Sequence, residues 1–130
     1  MPPWLSQIKT AQSKESKYNS SRWVQLATIG IDKRPRVRTV VFRGWSNTFE
    51  MELYTDKRSE KYQELELNNN VEVCWLFTIS KSQFRFQGTS RIDLSSDSLR
   101  HWEKLSKKSK SMWSWPCPDV MFSLIKRLIY

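Results

Sequence analysis

Arg38-Thr39-Val40-Val41-Phe42-Arg43, followed by Tyr54-Thr55-Asp56-Lys57-Arg58-Ser59-Glu60-Lys61, is the stretch on which the fold of this chain turns. The first run sets β-branched residues between two Arg and reads as a strand. The second places hydroxyls and cations directly after another apolar run. A strand fixes a guanidinium at one end of a sheet, and a strand-to-helix turn offers hydroxyls, an ammonium and backbone N–H groups. Such a set suits a phosphate-bearing cofactor. Side-chain alternation puts Arg38 and Arg43 on opposite faces of their strand unless a bulge intervenes.

Working outward, Pro2 and Pro3 precede Trp4, Leu5, Ile8 and Ala11, the stripe of a short amphipathic helix that packs through Trp4 and Ile8. A polar link over Ser13 to Ser21 leads to a strand from Trp23 to Ile31. Asp32-Lys33-Arg34-Pro35 is a turn, and Val37 to Arg43 is the antiparallel partner. Gly44 to Thr48 makes a second turn, and Phe49 to Tyr54 alternates apolar with acidic residues as a half-buried strand does. Ser59 to Leu67 is a helix that Ser59 can cap, with Asn68-Asn69-Asn70 available for a left-handed C-terminal residue. Val71 to Thr78 and Gln83 to Ile92 are two more strands joined by a Ser/Lys turn, the second with Phe84 and Phe86 on one face and Arg85 and Gln87 on the other. A further helix is expected from Ser95 or Ser96 through Leu99, Trp102 and Leu105. Met121 to Tyr130 is apolar, and the assignment of elements stops before it. Short antiparallel strands with few inserted helices give a mainly β fold, a closed or nearly closed barrel of about six strands with peripheral helices.

The 130 residues support a single domain over 1–130, and no repeat or linker divides it. Seven Trp, six Phe and four Tyr supply core volume, while 22 Lys+Arg against 13 Asp+Glu leave a formal charge of +9. Such a charge attracts anionic cofactors and polyanions alike. Cys74 and Cys117 are too few for a disulfide framework and lack metal-ligand neighbours, which fits a reducing cytosolic setting and no metal site. Cys74, between Val73 and Trp75, reads as a packed core thiol. No run approaches the ~20 apolar residues that a membrane span needs.

The quoted stretches resemble the FMN-binding segments of the pyridoxamine phosphate oxidase-like flavin proteins, within them the oxidase-related branch. The likeness extends to Trp23-Val24-Gln25-Leu26-Ala27-Thr28-Ile29-Gly30, Cys74-Trp75-Leu76-Phe77 and Gln83-Phe84-Arg85-Phe86-Gln87-Gly88, covering about residues 4 to 116 with order and spacing intact. It implies an FMN-binding split barrel, a cytoplasmic homodimer that holds the flavin between subunits. It also implies that Arg38, Ser59 and Lys61 meet the phosphate and ribityl chain, with Arg43 at the far end of the same strand. Thr39 and the backbone of Val40 to Arg43 then meet the flavin edge, and Tyr54, Thr55 and Gln83 line the flavin.

Three departures qualify the activity that the resemblance implies. Authentic oxidases carry Arg between the turn Ser and Lys, where this chain has Glu60, so the missing charge is expected from Arg58, with Lys57 as the alternative, in the Arg-Ser-x-Lys order of the related branch. Where oxidases bind the substrate phosphate through Tyr-Phe-x-x-Arg-Pro, this chain has Trp102-Glu103-Lys104-Leu105-Ser106-Lys107, so oxidation of vitamin B6 phosphate is not expected. With the sequence ending at Tyr130, the C-terminal strand region that relatives usually carry is expected to be lacking. The expected function is that of an FMN-dependent oxidoreductase, with a non-catalytic flavin-binding module as the alternative. A basic β-barrel that binds single-stranded nucleic acid is a third reading. Against it, Trp23, Trp75, Phe84 and Phe86 fall mostly at periodic core positions, and no RNA-binding signature is present.

Overall fold

The structure, a computed structural model, describes residues 1–55, 59–93 and 120–129. Helix α1 (Pro3–Lys14) and a 3-10 turn (Asn19–Arg22) lead into strands β1 (Trp23–Ile29), β2 (Pro35–Trp45) and β3 (Met51–Thr55). Helix α2 (Glu60–Leu67) then connects to β4 (Asn70–Phe77), β5 (Ser82–Asp93) and β6 (Val120–Ile129). The strands close a barrel in the order β1-β2-β3-β6-β5-β4, every neighbouring pair antiparallel.

Each hairpin follows from local chemistry. In the β1–β2 turn Lys33 takes φ 65°, Asp32 Oδ1 accepts from the Arg34 N–H at 3.1 Å, and Gly30 N–H donates to Arg34 O at 2.7 Å. A Cβ on Gly30 would lie 2.7 Å from Asp32 Oδ1 and 3.0 Å from Arg34 O, so a larger residue would have to displace the Asp32 carboxylate that orders the turn. β2 carries a bulge at Arg43 and Gly44, where Phe42 pairs with Leu53 but Gly44 with Glu52, and Gly44 adopts φ 152°. Alternation along the strands buries Val24 and Leu26, Met51 and Leu53, and Val73, Trp75 and Phe77 inside the barrel.

Helix α1 closes one end by burying Leu5, Ile8 and Ala11, and the Trp4 ring meets Phe86 at 5.6 Å. The buried Trp75 indole N–H donates to Ser21 O at 3.2 Å, and Glu15, buried past the end of α1, accepts from Thr78 Oγ1 at 2.9 Å and the Ile79 N–H at 2.6 Å. These bonds tie α1 to the β4–β5 turn and satisfy polar groups that would otherwise cost free energy in the interior.

Four sequence-based assignments change. Met121 to Ile129, left without an element, lies in β6, the strand that closes the barrel between β3 and β5. Cys74 points outward and is half-buried, because the buried positions of β4 are its neighbours Val73 and Trp75. Trp23 also lies on the outer face, 50% exposed, unlike Trp75, Phe84 and Phe86, which are buried. Asn68 is extended, at φ −147° and ψ 112°, and its Oδ1 accepts from the Asn70 N–H at 3.1 Å, so the chain leaves α2 directly into β4 without a left-handed residue. The helix expected from Ser95 or Ser96, together with His101 and Trp102, lies outside the described residues. Among the described residues no helix is long and apolar enough to cross a membrane.

Candidate cofactor site

The turn from β3 into α2 gathers three of the residues singled out in sequence. Thr55, fully buried at the end of β3, sits 3.1 Å through its Oγ1 from Ser59 Oγ, and Lys61 Nζ donates to the same Thr55 hydroxyl. Ser59 is the N-cap of α2: its Oγ accepts from the Tyr62 N–H at 3.2 Å, as a serine before a helix does to satisfy a first-turn donor. A cation, two hydroxyls and the positive end of a helix therefore meet in one turn. Arg58, expected to add a second cation, lies outside the described residues.

Arg38 faces inward, opposite Leu26. Its Nη1 donates to Thr28 Oγ1 at 2.7 Å and to Leu26 O at 3.3 Å, and its Nη2 donates to Glu64 Oε1 at 2.7 Å. Thr28 Oγ1 donates in turn to Glu64 Oε1 at 2.7 Å, which closes a ring of three side chains. Glu64 and Thr28 are 4% and 2% exposed. Lys61 and Glu64 are three residues apart on α2, hence neighbours on one helix face. Neither Glu64 nor Thr28 stands out in the sequence as a site residue. The i, i+3 spacing from Lys61 to Glu64 was the available signal, but nothing local identifies a partner 26 residues away from Glu64.

Arg43 occupies the outer face, its guanidinium 5.3 Å from the Tyr54 ring centroid. Alternation thus separates the two arginines as expected, because the bulge begins at Arg43 and comes too late to bring it round to Arg38's side. Burial is the largest cause of both shifts in this pair: the Arg43 guanidinium titrates lower than usual, and the Tyr54 hydroxyl is pushed up to about 12. Thr39 and Val41 share this outer face with Trp23 and Gln25, and Thr39 Oγ1 donates to Gln25 Oε1 at 3.0 Å. Val40 faces inward beside the core.

Gln83 stands apart. The register runs Thr39–Gln25–Cys74–Arg85 across β2, β1, β4 and β5, and Gln83 lies two residues beyond Arg85 on the same outer face. Three strand spacings, about 14 Å, separate β2 from β5 along that row. In its own neighbourhood Gln83 lines an open trough of about 610 Å³ with Ser6, Thr10, Lys14 and Ser82. The Cys74 thiol in the same row is held above its ordinary value, chiefly by burial, which disfavours the thiolate that a nucleophile needs. Among the described residues no three His, Cys, Asp or Glu side chains converge as metal ligands.

Comparison with known proteins gives these residues a context. The family model of the pyridoxamine 5'-phosphate oxidase FMN-binding domain matches residues 1–93. Pyridoxine/pyridoxamine 5'-phosphate oxidase 2 of Arabidopsis thaliana is 38% identical over 129 residues, 98% of this chain and 61% of that protein. Pyridoxine/pyridoxamine 5'-phosphate oxidase of Leptospira biflexa is 28% identical over 88 residues, 68% of this chain and 41% of that protein. The chain thus spans less than two thirds of the length of either relative. Among solved structures, the pyridoxamine 5'-phosphate oxidase-related, FMN-binding protein of Nostoc punctiforme superposes with TM-score 0.86 at 24% identity, covering 97% of this chain and 82% of that one. HutZ, the heme storage protein of Vibrio cholerae, shares the fold at TM-score 0.68 and 15% identity, covering 95% and 94%. A closed six-stranded barrel with a capped, cationic β3–α2 turn is therefore the FMN-binding domain of the pyridoxamine 5'-phosphate oxidase family, to which this chain belongs.

Proposed function

We propose that this protein is an FMN-dependent oxidoreductase. The observation that carries the reading is the Thr55–Ser59–Lys61 cluster at the start of α2, a hydroxyl and cation cradle of the kind a phosphate monoester fits, within an FMN-binding domain. Ser59, Lys61 and Arg58 hold the flavin phosphate, and Arg38 joins them from the barrel end. Thr39, Val41, Arg43 and Tyr54 form the wall along the flavin, with the backbone at Val40 against its edge. Bound FMN supplies the hydride and electron chemistry, so the chain's part is to bind, orient and shield it.

The working unit in this reading is a cytoplasmic homodimer with a shared site. Gln83 is about 14 Å round the barrel from β2, too far to line the same flavin within one chain, whereas a second copy laid against the outer face can bring its own Gln83 there. That face exposes apolar surface that a partner would cover, with Trp23 50%, Leu76 54% and Val37 69% exposed. The substrate is taken to be other than vitamin B6 phosphate, because Trp102 and Ser106 stand where a substrate-binding Tyr and Arg would be needed. The second reading, oxidation of pyridoxine or pyridoxamine 5'-phosphate, has one specific support in the name of the Arabidopsis relative.

Mass spectrometry of the small molecule released on denaturing the purified protein tests the cofactor, with FMN expected and a colourless, flavin-free protein that takes up no FMN counting against it. Light scattering tests the dimer: a monomeric mass with FMN bound would remove the shared site. Saturable, flavin-dependent formation of pyridoxal 5'-phosphate would replace the first substrate reading by the second.

A further inference from the structure

The ring formed by Thr28, Arg38 and Glu64 is a closed polar group at the barrel end, each member bonded to the other two, yet as pure charge it is misplaced. A carboxylate buried one helix turn from Lys61 opposes the binding of any anion at the α2 start, since it cancels the charge of one of the two cations held there. A different role is written in the hydrogen bonds. Arg38 has five N–H donors and spends three, on Leu26 O, Thr28 Oγ1 and Glu64 Oε1. The described residues leave its Nε–H and one Nη2–H unengaged, in a plane that the other three bonds fix, and 25% of the side chain meets solvent. Thr28 gives its single proton to Glu64 and accepts from Arg38, so the direction of every bond in the ring is determined. Glu64 belongs to the helix face that carries Lys61, which reaches Thr55 at the end of β3. One carboxylate therefore sets both the plane of the Arg38 fork on β2 and the seat of α2 on β1.

We infer that Glu64 is a positioning residue of the flavin phosphate site, which through its ring with Thr28 holds the Arg38 fork and the α2 start in the geometry that grips the phosphate. The inference rests on the reading of this turn as the FMN phosphate site. Geometry outweighs charge here because a planar, two-pronged donor grips a phosphate only when its orientation is already set, and the cost of setting it is met by the fold rather than by the ligand.

The test compares FMN with riboflavin, which lacks the phosphate, by fluorescence titration of the full chain and its Glu64→Gln, Thr28→Val and Thr28→Ser variants, each checked by thermal melting. Glu64→Gln keeps the volume and removes a negative charge, yet its FMN dissociation constant is expected to rise by about tenfold, while that for riboflavin changes by less than about twofold. Thr28→Val is expected to reproduce that selective loss with the Glu64 charge intact, and Thr28→Ser, which keeps the hydroxyl, to spare it. Tighter FMN binding by Glu64→Gln would show that charge dominates and overturn the inference. Parallel losses for both flavins would reduce the ring to a scaffold and overturn it as well. A wild-type chain that binds FMN no better than riboflavin would remove the phosphate-site reading itself, and the inference with it.

Discussion

The two arginines of β2 share a strand and little else. Arg38 turns inward to a carboxylate and a hydroxyl that are almost wholly buried, whereas Arg43 turns outward onto the ring of Tyr54. The first is held by directional, charge-assisted bonds to a partner that cannot return to water, the second by a ring face that tolerates many approach angles. One strand thus presents a fixed cation to the barrel end and an adaptable one to the outer face. The split teaches that arginine count is a poor guide to anion sites: what a guanidinium can do depends on what already holds it.

Arg38→Ala is the hardest way to break this contrast. It leaves Glu64 buried without its cation and should cost about 3 kcal/mol, the low end for a buried pair because a quarter of the Arg38 side chain meets solvent. For a domain of this size the melting temperature should drop by roughly 10 °C. An unchanged melt would mean that the ring carries no stability and that the two arginines are equivalent.

Lys61→Ala sharpens the contrast from the ligand side. Lys61 is half-buried at the start of α2 and donates to the Thr55 hydroxyl, and the loss of such a bond should lower stability by about 1 kcal/mol. FMN affinity should fall by about tenfold, with riboflavin affinity nearly unchanged. Equal losses for the two flavins would take Lys61 away from the phosphate.

Arg43→Ala tests the outer face. Loss of the stack on Tyr54 should lower stability by about 0.5–1 kcal/mol in urea unfolding, against the larger loss at Arg38. A loss as large as that of Arg38→Ala would erase the distinction between the two settings.

The smallest effect is set by pH. Tyr54 titrates near 12 in the folded chain, above its ordinary value of 10.0, chiefly because burial disfavours the phenolate. A folded value above the unfolded one means that this contribution is fully present below pH 10 and is lost as pH rises through about 12. The urea midpoint should therefore decline over that window, and Tyr54→Phe should lessen the decline. A phenol that titrates near 10 in ultraviolet absorbance would contradict the buried setting.

Much of this was legible in local sequence. The alternation of Phe84 and Phe86 with Arg85 and Gln87, the Asp32–Pro35 turn, and Ser59 before a helix each record a single element's chemistry, and the structure repeats them almost residue for residue. Residues 121–129 were not legible as β6, since a nearly unbroken apolar run carries neither the period of a strand nor that of a helix. Cys74 and Trp23 were assigned to the core by hydrophobicity, although each faces outward with the opposite pleat from its buried neighbours. The engagement of Arg38 escaped for a different reason. Its partner on α2 becomes its neighbour only once the helix has docked on β1, and no window of sequence contains that event.

The placement of β6 also has a consequence for how the chain reaches its native state. β6 pairs with β3 and with β5, and its partners on β3 lie some seventy residues earlier in the chain. During synthesis, β3 and β5 therefore emerge with one bare edge each and must wait for residues 120–129 before either is covered. Closure is thus a long-range pairing with a high loop-closure cost, and until it forms the two open edges are the surfaces on which a neighbouring nascent chain could pair.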